Sequence, residues 1–289
     1  MKHLEKQSFS ILKQSKSLDK KSPIGIFDSG IGGLTVAKKL HMLLPGEKII
    51  YFGDTARVPY GTKSKETIGL YAIQITGFLA RFNPKLIIIA CHSVSSLGTH
   101  FLEKKFKNLH FIDVINPSIE VAVRTTKNKK VGIIGTPATI SSNRYPQLIK
   151  KIDRSIKVYQ QPCPLLVPLV EEGWTDTDVT KKIIEHYIEP LIRAGIDTLI
   201  LGCTHYPLLK RAIRKVTGNS VQLIDASDVT GMKVKNFLAQ FALLNNGGLK
   251  KPVLYFSDLP ENRKDVMRRF WKSKNLIFKK VNIDLLSVF

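Results

Sequence analysis

Thr198-Leu199-Ile200-Leu201-Gly202-Cys203-Thr204-His205-Tyr206-Pro207 is an apolar β-type run that stops abruptly in a glycine, a cysteine and two polar residues. A proline and an amphipathic helical pattern through Leu208, Leu209, Ile213 and Val216 follow it. Such a run is a buried strand of a parallel sheet. It delivers a thiol to the sheet's carboxyl edge, where open α/β sheets bind ligands. Leu86-Ile87-Ile88-Ile89-Ala90-Cys91-His92-Ser93 repeats the arrangement earlier in the chain, again with a segment able to start a helix. Two thiols, each at a strand end, are the feature that needs a reason.

Working outward, Pro23-Ile24-Gly25-Ile26-Phe27 reads as a first strand that enters Asp28-Ser29-Gly30-Ile31-Gly32-Gly33 and then a helix through Leu34, Val36, Ala37 and Leu40. Strand, glycine-rich turn and helix open an α/β domain. The turn's spacing is G-x-G-G rather than G-x-G-x-x-G, so a dinucleotide fingerprint is rejected. Lys48 to Phe52 is a second strand ending in Gly53-Asp54-Thr55, and the loop Arg57-Val58-Pro59-Tyr60-Gly61-Thr62 leads to a helix near Ser64. A fourth strand, Phe111 to Ile115, ends at Asn116-Pro117; proline disfavours helix at the asparagine, which marks a domain crossing. The opening pattern then returns: Val131-Gly132-Ile133-Ile134-Gly135-Thr136 echoes Ile24 to Ser29, and Cys203 echoes Cys91, each about 110 residues later. An internal duplication follows. Two similar α/β units each carry a turn after their first strand and a thiol after a later one.

Within the second unit, the Pro-rich stretch Pro162 to Glu171 reads as a stiffened loop. A helix is expected from about Asp176, with Val179, Ile183, Tyr187, Ile188 and Ile192 as its apolar face, and a strand over Val221 to Ile224. The last segment holds a strand (Val253 to Phe256), a basic helix (about Glu261 to Lys272) and an apolar end, placed back on the first unit. The expected division is a basic tail over 1–22, a first α/β domain from 23–115 plus 226–289, and a second over 116–225.

At 289 residues the chain can bury a full core. No apolar run approaches the length of a membrane span. Three cysteines do not make a disulfide framework and fit a reducing cytosol, so a cytoplasmic protein is expected. Lys and Arg number 45 against 23 Asp and Glu, a formal net charge of +22. Such a surface attracts polyanions. With no zinc-finger spacing, RNP-like motif or isolated basic helix, nucleic acid is expected only through non-specific charge.

Facing strand ends of two such units would put Cys91 and Cys203 on opposite walls of one cleft. A thiolate and a thiol flanking a carbon are what a two-base proton exchange needs: one side removes a proton and the other delivers one to the opposite face. A cysteine at a helix start can have a depressed pKa. Taken singly, either cysteine reads as an ordinary buried residue, and the paired placement reverses that balance. Cys163, between two prolines, reads as structural, and without C-x-x-C a thiol–disulfide role is disfavoured.

Asp28-Ser29-Gly30-Ile31-Gly32-Gly33, Asp54 with Pro59-Tyr60-Gly61, Ala90-Cys91, Gly135-Thr136, Val167-Pro168-Leu169-Val170-Glu171 and Gly202-Cys203-Thr204-His205-Tyr206-Pro207 together resemble the cofactor-independent Asp/Glu racemase superfamily, in its glutamate racemase branch. The likeness runs over about residues 24 to 275 in the family's order. It implies two flavodoxin-like α/β domains with mainly parallel sheets, related by pseudo-symmetry, with the site in the cleft between them. It implies interconversion of L- and D-glutamate without cofactor or metal, supplying D-glutamate for peptidoglycan, in a homodimer. By matching positions, Cys91 and Cys203 would be the acid/base pair, with Asp28, Glu171 and His205 tuning them. Asp28, Ser29, Tyr60, Gly61, His92, Ser93, Thr136, Thr204 and His205 would line the substrate site. Backbone N–H groups of Gly30 to Gly33 and of Gly61, and the hydroxyls of Ser29 and Thr204, are candidate donors for carboxylate oxygens. One departure stands out: where the family has Asn-Thr after the first cysteine, this chain has His92-Ser93. A neutral imidazole nitrogen can accept from an ammonium; an imidazolium would repel it. Racemisation of aspartate or another acidic amino acid, and a weakly active paralogue acting as a basic binding protein, remain the alternatives.

Overall fold

A computed structural model of the chain describes residues 19–259, 261–271, 276–282 and 286. Most of the expected tail lies outside these residues; its last four, 19–22, form a turn. Among the described residues ten strands, β1 (Ile24–Asp28), β2 (Ile49–Gly53), β3 (Leu86–Ile89), β4 (Phe111–Asp113), β5 (Lys130–Gly135), β6 (Lys157–Pro162), β7 (Thr198–Gly202), β8 (Gln222–Asp225), β9 (Val253–Phe256) and β10 (Ile277–Lys280), form two sheets. Their orders are β10-β9-β2-β1-β3-β4 and β6-β5-β7-β8, and all pairs are parallel. Counted within its own unit, each sheet runs second-first-third-fourth, with β9 and β10 added beside β2. The repeat expected from the sequence is therefore a repeat of topology, and each thiol follows the third strand of its own unit.

Parallel strands covered by helices on both faces must be apolar throughout. β1, β2, β3 and β7 are buried at every residue, and the edge strands β6 and β10 are not. The largest core cluster takes residues from both sheets, from Ile24 and Leu34 to Leu199, Cys203 and Phe270. It includes Val234 and Leu238 of the helix Ala226–Gln240, which packs against the helix Leu34–Leu43.

Two local expectations fail for one reason, the tolerance of proline in a first helical turn, where backbone N–H groups need no intrahelical partner. β4 ends at Asp113 and a helix, Ile115–Thr125, starts across Asn116-Pro117. Asp113 holds it open to that path: its Oδ1 accepts from the N–H groups of Ile115 (2.7 Å) and Asn116 (2.8 Å). The stretch read as a stiff loop is the end of β6 followed by a helix, Leu166–Glu171, with Pro168 in its first turn. As expected, Pro207 is followed by a helix: the 3₁₀ turn Tyr206–Leu209 leads into the helix Lys210–Thr217. The helix expected from Asp176 runs Asp178–Arg193; it buries Thr180, Ile184, Tyr187, Ile188 and Leu191, whereas Val179 and Ile192 are exposed.

At the amino ends of the first sheet lies a buried ion pair. Lys85 and Glu47, 0% and 1% exposed, meet at 2.6 Å. The Lys85 ammonium also donates to the carbonyls of Lys20 (2.7 Å) and Leu243 (2.8 Å), and Glu47 Oε1 accepts from the Asn245 N–H (2.9 Å). Two distant segments, around Lys20 and around Leu243–Asn245, thus end on one pair. Removing one buried partner strands the other's charge, so Lys85→Met is expected to destabilise the fold by about 3–5 kcal/mol in chemical denaturation. Adding Glu47→Leu should recover part of that loss; a double variant no better than the single would rule out a stranded charge as the cause.

Candidate active site

The site forms where the carboxyl ends of β1, β3, β5 and β7 approach one another. Asp28 closes β1 and is fully buried. Its carboxylate accepts from the Gly30 N–H at 3.1 Å and from the Gly33 N–H in the turn that follows. From the other sheet, the Thr204 hydroxyl donates to Asp28 Oδ1 at 3.3 Å. Two of the N–H groups expected to serve a substrate carboxylate are therefore occupied by Asp28, and Asp28 does not cap the following helix, whose N-cap Gly33 has no side-chain bond. Burial raises the Asp28 pKa against the lowering effects of His205 and of these bonds.

The glycines are there for space. A Cβ on Gly32 would come within 2.5 Å of His205 Nδ1, and one on Gly33 within 2.5 Å of Asp28 Cβ. Neither carries the positive φ found at Gly173, Gly195 and Gly218. Thr35, one turn on, donates to the carbonyls of Gly32 (2.9 Å) and Thr204 (3.2 Å) and so ties the same two loops. Nothing in the helical pattern around it signals that role.

Cys91 is the N-cap of the short helix His92–Leu97, 5% exposed, with Sγ 3.4 Å from the Ser29 hydroxyl. Burial, and then the Asp28 carboxylate, push its thiol up to about 12, outweighing the Ser29 hydroxyl and the Val94 N–H. The expectation of a depressed value at a helix start is corrected here: desolvation and a like charge exceed the pull of a helix end. Cys203, 6% exposed, follows β7 with Sγ 3.8 Å from His205 Nδ1. His205 Nε2 lies 3.2 Å from Glu171 Oε1. Burial opposes charge on this imidazole, but Cys203 and Glu171 together raise it to about 10, so the ring is cationic at neutral pH. The two sulfurs therefore face opposite electrostatics, a carboxylate on one side and an imidazolium on the other.

A third cluster completes the opening. Ser93 Oγ lies 3.2 Å from Thr136 Oγ1, which also takes the Thr139 N–H as the N-cap of the helix Pro137–Ser141. A Cβ on Gly61 would stand 3.0 Å from Thr136 Cβ, so the Tyr60–Thr62 turn reaches across to the second sheet. Tyr60 is buried and its hydroxyl donates to Asp54. His92 is also buried, with neither ring nitrogen paired, and burial lowers its pKa to about 3. Cys163 is fully buried in the core with its thiol pushed far up by desolvation, in keeping with a structural role. Two participants carried no signal in the sequence: Ser257, whose hydroxyl donates to Asp54 Oδ1 (2.7 Å), and Phe270, packed on His205. Among the described residues no group of three or more His, Cys, Asp or Glu side chains is arranged to hold a metal ion, and no helix is long and apolar enough to cross a membrane.

Residues 24–231 match the model of the Asp/Glu/Hydantoin racemase family. A glutamate racemase of Chlorobaculum tepidum is 46% identical over 250 residues, 86% of this chain and 92% of the relative. A glutamate racemase from Francisella tularensis, solved in complex with D-glutamate, superposes with a TM-score of 0.87 at 38% identity, covering 93% of this chain and 100% of that one. A glutamate racemase isoform from Bacillus anthracis gives 0.88 at 33% identity, with 91% and 98% covered.

Glu171→Gln removes one of the two groups that hold a proton on His205. Its imidazole titration, followed by NMR, is expected to move down from about 10. A raised value stabilises the folded state below the ordinary histidine value of about 6.5 and loses that contribution as pH climbs through the folded value. The stability gap between wild type and Glu171→Gln should therefore be widest below pH ~6.5 and shrink toward pH ~10. A gap that does not change with pH would disconnect Glu171 from the charge on His205.

Proposed function

The chain belongs to the Asp/Glu/hydantoin racemase family, and on that premise we propose that it interconverts L- and D-glutamate by proton exchange between Cys91 and Cys203, supplying D-glutamate for peptidoglycan. The observation that carries the reading is the equivalence of the two thiols: each follows the third strand of its unit, and Asp28-Ser29 at the end of β1 reaches both, Ser29 to Cys91 and Asp28 to Thr204 beside Cys203.

The chemistry balances simply. One sulfur, as thiolate, takes the α-proton; the electron pair of the broken C–H bond stays on the α-carbon and in its carboxylate; the thiol opposite gives its own proton to the other face. Product leaves with the two sulfurs' protonation states exchanged, and the reverse turnover or solvent restores them. Cys91, held as a thiol beside Asp28, is ready to donate. The imidazolium of His205 supplies positive charge beside Cys203. An α-carbanion without a cofactor as electron sink needs fixed donors in a site closed to water. The Ser29, Ser93, Thr136 and Thr204 hydroxyls and the Gly61 backbone are the donors this reading assigns to the substrate's carboxylates. Mirror-image substrates can share those anchors while presenting opposite faces of the α-carbon to the two sulfurs.

His92 enters as the acceptor for the substrate ammonium. Its neutral ring removes the repulsion an imidazolium would bring, and its unprotonated nitrogen can accept a hydrogen bond. A cytoplasmic setting fits three free cysteines. A homodimer belongs to the same reading, and the half-exposed Leu165, Trp174 and Val179 offer apolar surface for it to bury.

Incubation of L- and D-glutamate in D₂O with wild type, Cys91→Ala and Cys203→Ala tests the exchange. Wild type should place deuterium at the α-carbon of the enantiomer it forms, and either substitution should stop racemisation; a single-alanine variant that still racemises at near wild-type rate would defeat the two-thiol reading. For His92, an apolar His92→Leu should raise KM for glutamate roughly tenfold or more, because a buried ammonium loses its acceptor, while His92→Asn stays close to wild type. Equal KM values in both would remove His92 from the substrate contacts. Parallel assays with L- and D-aspartate show whether the histidine has moved the preference for chain length.

A further inference from the structure

We propose that Phe270, on the helix Glu261–Trp271, is a positioning residue for His205: its ring sets the plane of the imidazole between Cys203 and Glu171, so that the C-terminal part of the chain completes the proton-exchange site. The inference rests on the acid–base reading of His205 given above.

The need for such a residue follows from geometry. His205 makes one contact through each ring nitrogen, Nδ1 to Cys203 Sγ at 3.8 Å and Nε2 to Glu171 Oε1 at 3.2 Å. Those contacts and the bond at Cγ define the ring's plane, but both contacts are long, and rotation about the second side-chain torsion of histidine, which swings both nitrogens off their partners, is soft. Packing around the ring narrows that rotation, and it is present on two sides. The bare Cα of Gly32 lies so close that an added Cβ would fall 2.5 Å from Nδ1 and 2.6 Å from Cε1. Phe270 meets the imidazole with ring centroids 5.6 Å apart and planes at 89°, an edge-to-face arrangement.

Phe270 suits the task chemically. A phenyl ring neither donates nor accepts a proton, so it cannot compete for either imidazole nitrogen, and its π system tolerates the ring's positive charge. Its support is rigid: Phe270 is 2% exposed, and its neighbours Met267 and Trp271 are buried in the same core. Trp271 packs on His41, with centroids 5.8 Å apart, at the end of the helix that begins just after Gly33. The walls on both sides of His205 are thus tied to one helix. Met267, Phe270 and Trp271 all lie beyond the stretch that matches the family model, which ends at residue 231.

The test compares Phe270→Leu, which keeps apolar bulk without a flat ring, with Phe270→Tyr, which keeps the ring, and Met267→Ala, which loosens the same helix without touching His205. Each sulfur removes the proton of one enantiomer only, so a fault confined to the Cys203 side is directional. With α-deuterated L- and D-glutamate, Phe270→Leu should lower kcat about tenfold and enlarge the primary isotope effect for one enantiomer alone. Phe270→Tyr should restore kcat to within about threefold of wild type, and Met267→Ala should lower the melting temperature without creating the asymmetry. ¹⁵N NMR of the His205 imidazole should change in Phe270→Leu and not in Met267→Ala, a readout independent of the reaction. Unchanged kcat in Phe270→Leu, isotope effects that rise equally for both enantiomers, or the same asymmetry from Met267→Ala would overturn the proposal. Deuterium incorporation by wild type, measured alongside, reports separately on the racemase reading.

Discussion

A carboxylate taken out of water is among the most expensive things a fold can contain, and this fold places one, Asp28, at the seam of its two sheets. The seam is shaped by what that ion requires. Two of its donors are N–H groups of the turn that follows its own strand, and the third is the Thr204 hydroxyl from the far sheet. Local turn and inter-sheet docking are thereby one event: the turn cannot satisfy the ion alone, and the far loop has a fixed place to sit. The close glycines follow. A side chain at Gly33 would collide with Asp28, and one at Gly32 with the loop that carries Thr204 and His205.

The same ion makes two topologically equivalent thiols chemically different. Both cysteines follow the third strand of a sheet with the same order, yet one has a buried carboxylate for a neighbour and the other an imidazolium. Proton exchange across a carbon needs one sulfur loaded and one empty at any moment. Identical surroundings would leave a single proton shared between the sulfurs with no preferred holder. The duplication supplies two thiols at matching positions, and the departures from symmetry around them, Asp28 on one side and His205 with Glu171 on the other, supply the difference in charge.

The parts of this design readable from the sequence are those in which one residue type at one place in a strand pattern has a single good reason. Buried apolar runs ending in Cys91 and Cys203 fixed the parallel sheets, and the echo of β1 in β5 fixed their repetition. Helix starts are harder to read, because Pro117 and the prolines of Pro162 to Glu171 look like breakers, whereas Pro117 and Pro168 occupy first turns where the missing N–H costs nothing. The amphipathic face of Asp178–Arg193 was offset, since Val179 and Ile192 lie at its margin while Thr180 is buried with its hydroxyl donating to the Trp174 carbonyl. Contacts between distant segments left no local trace: Thr35 on Thr204, Lys85 on Glu47 and Phe270 on His205 each join residues whose neighbours in sequence say nothing about them.

Those distant contacts explain why the chain returns to its first sheet after building the second. The strand β9 lies beside β2, and directly beyond it Ser257 donates to Asp54, the same carboxylate that takes the Tyr60 hydroxyl and the Arg57 guanidinium (2.6 Å). Arg57 in turn lies 3.9 Å over the Tyr71 ring. The loop that brings Tyr60 and Gly61 toward Thr136 is thus held from behind by the returning segment. Beyond the end of β9 at Phe256, the same segment reaches His205 through Phe270. One wall of the opening is braced by Ser257 and the other by Phe270, both on a stretch that contributes no acid or base of its own. A site made only of strand ends from two sheets would be free to widen as the sheets shift. A segment anchored to both walls resists that widening, and it does so through a buried hydrogen bond and a buried ring contact rather than through surface charge.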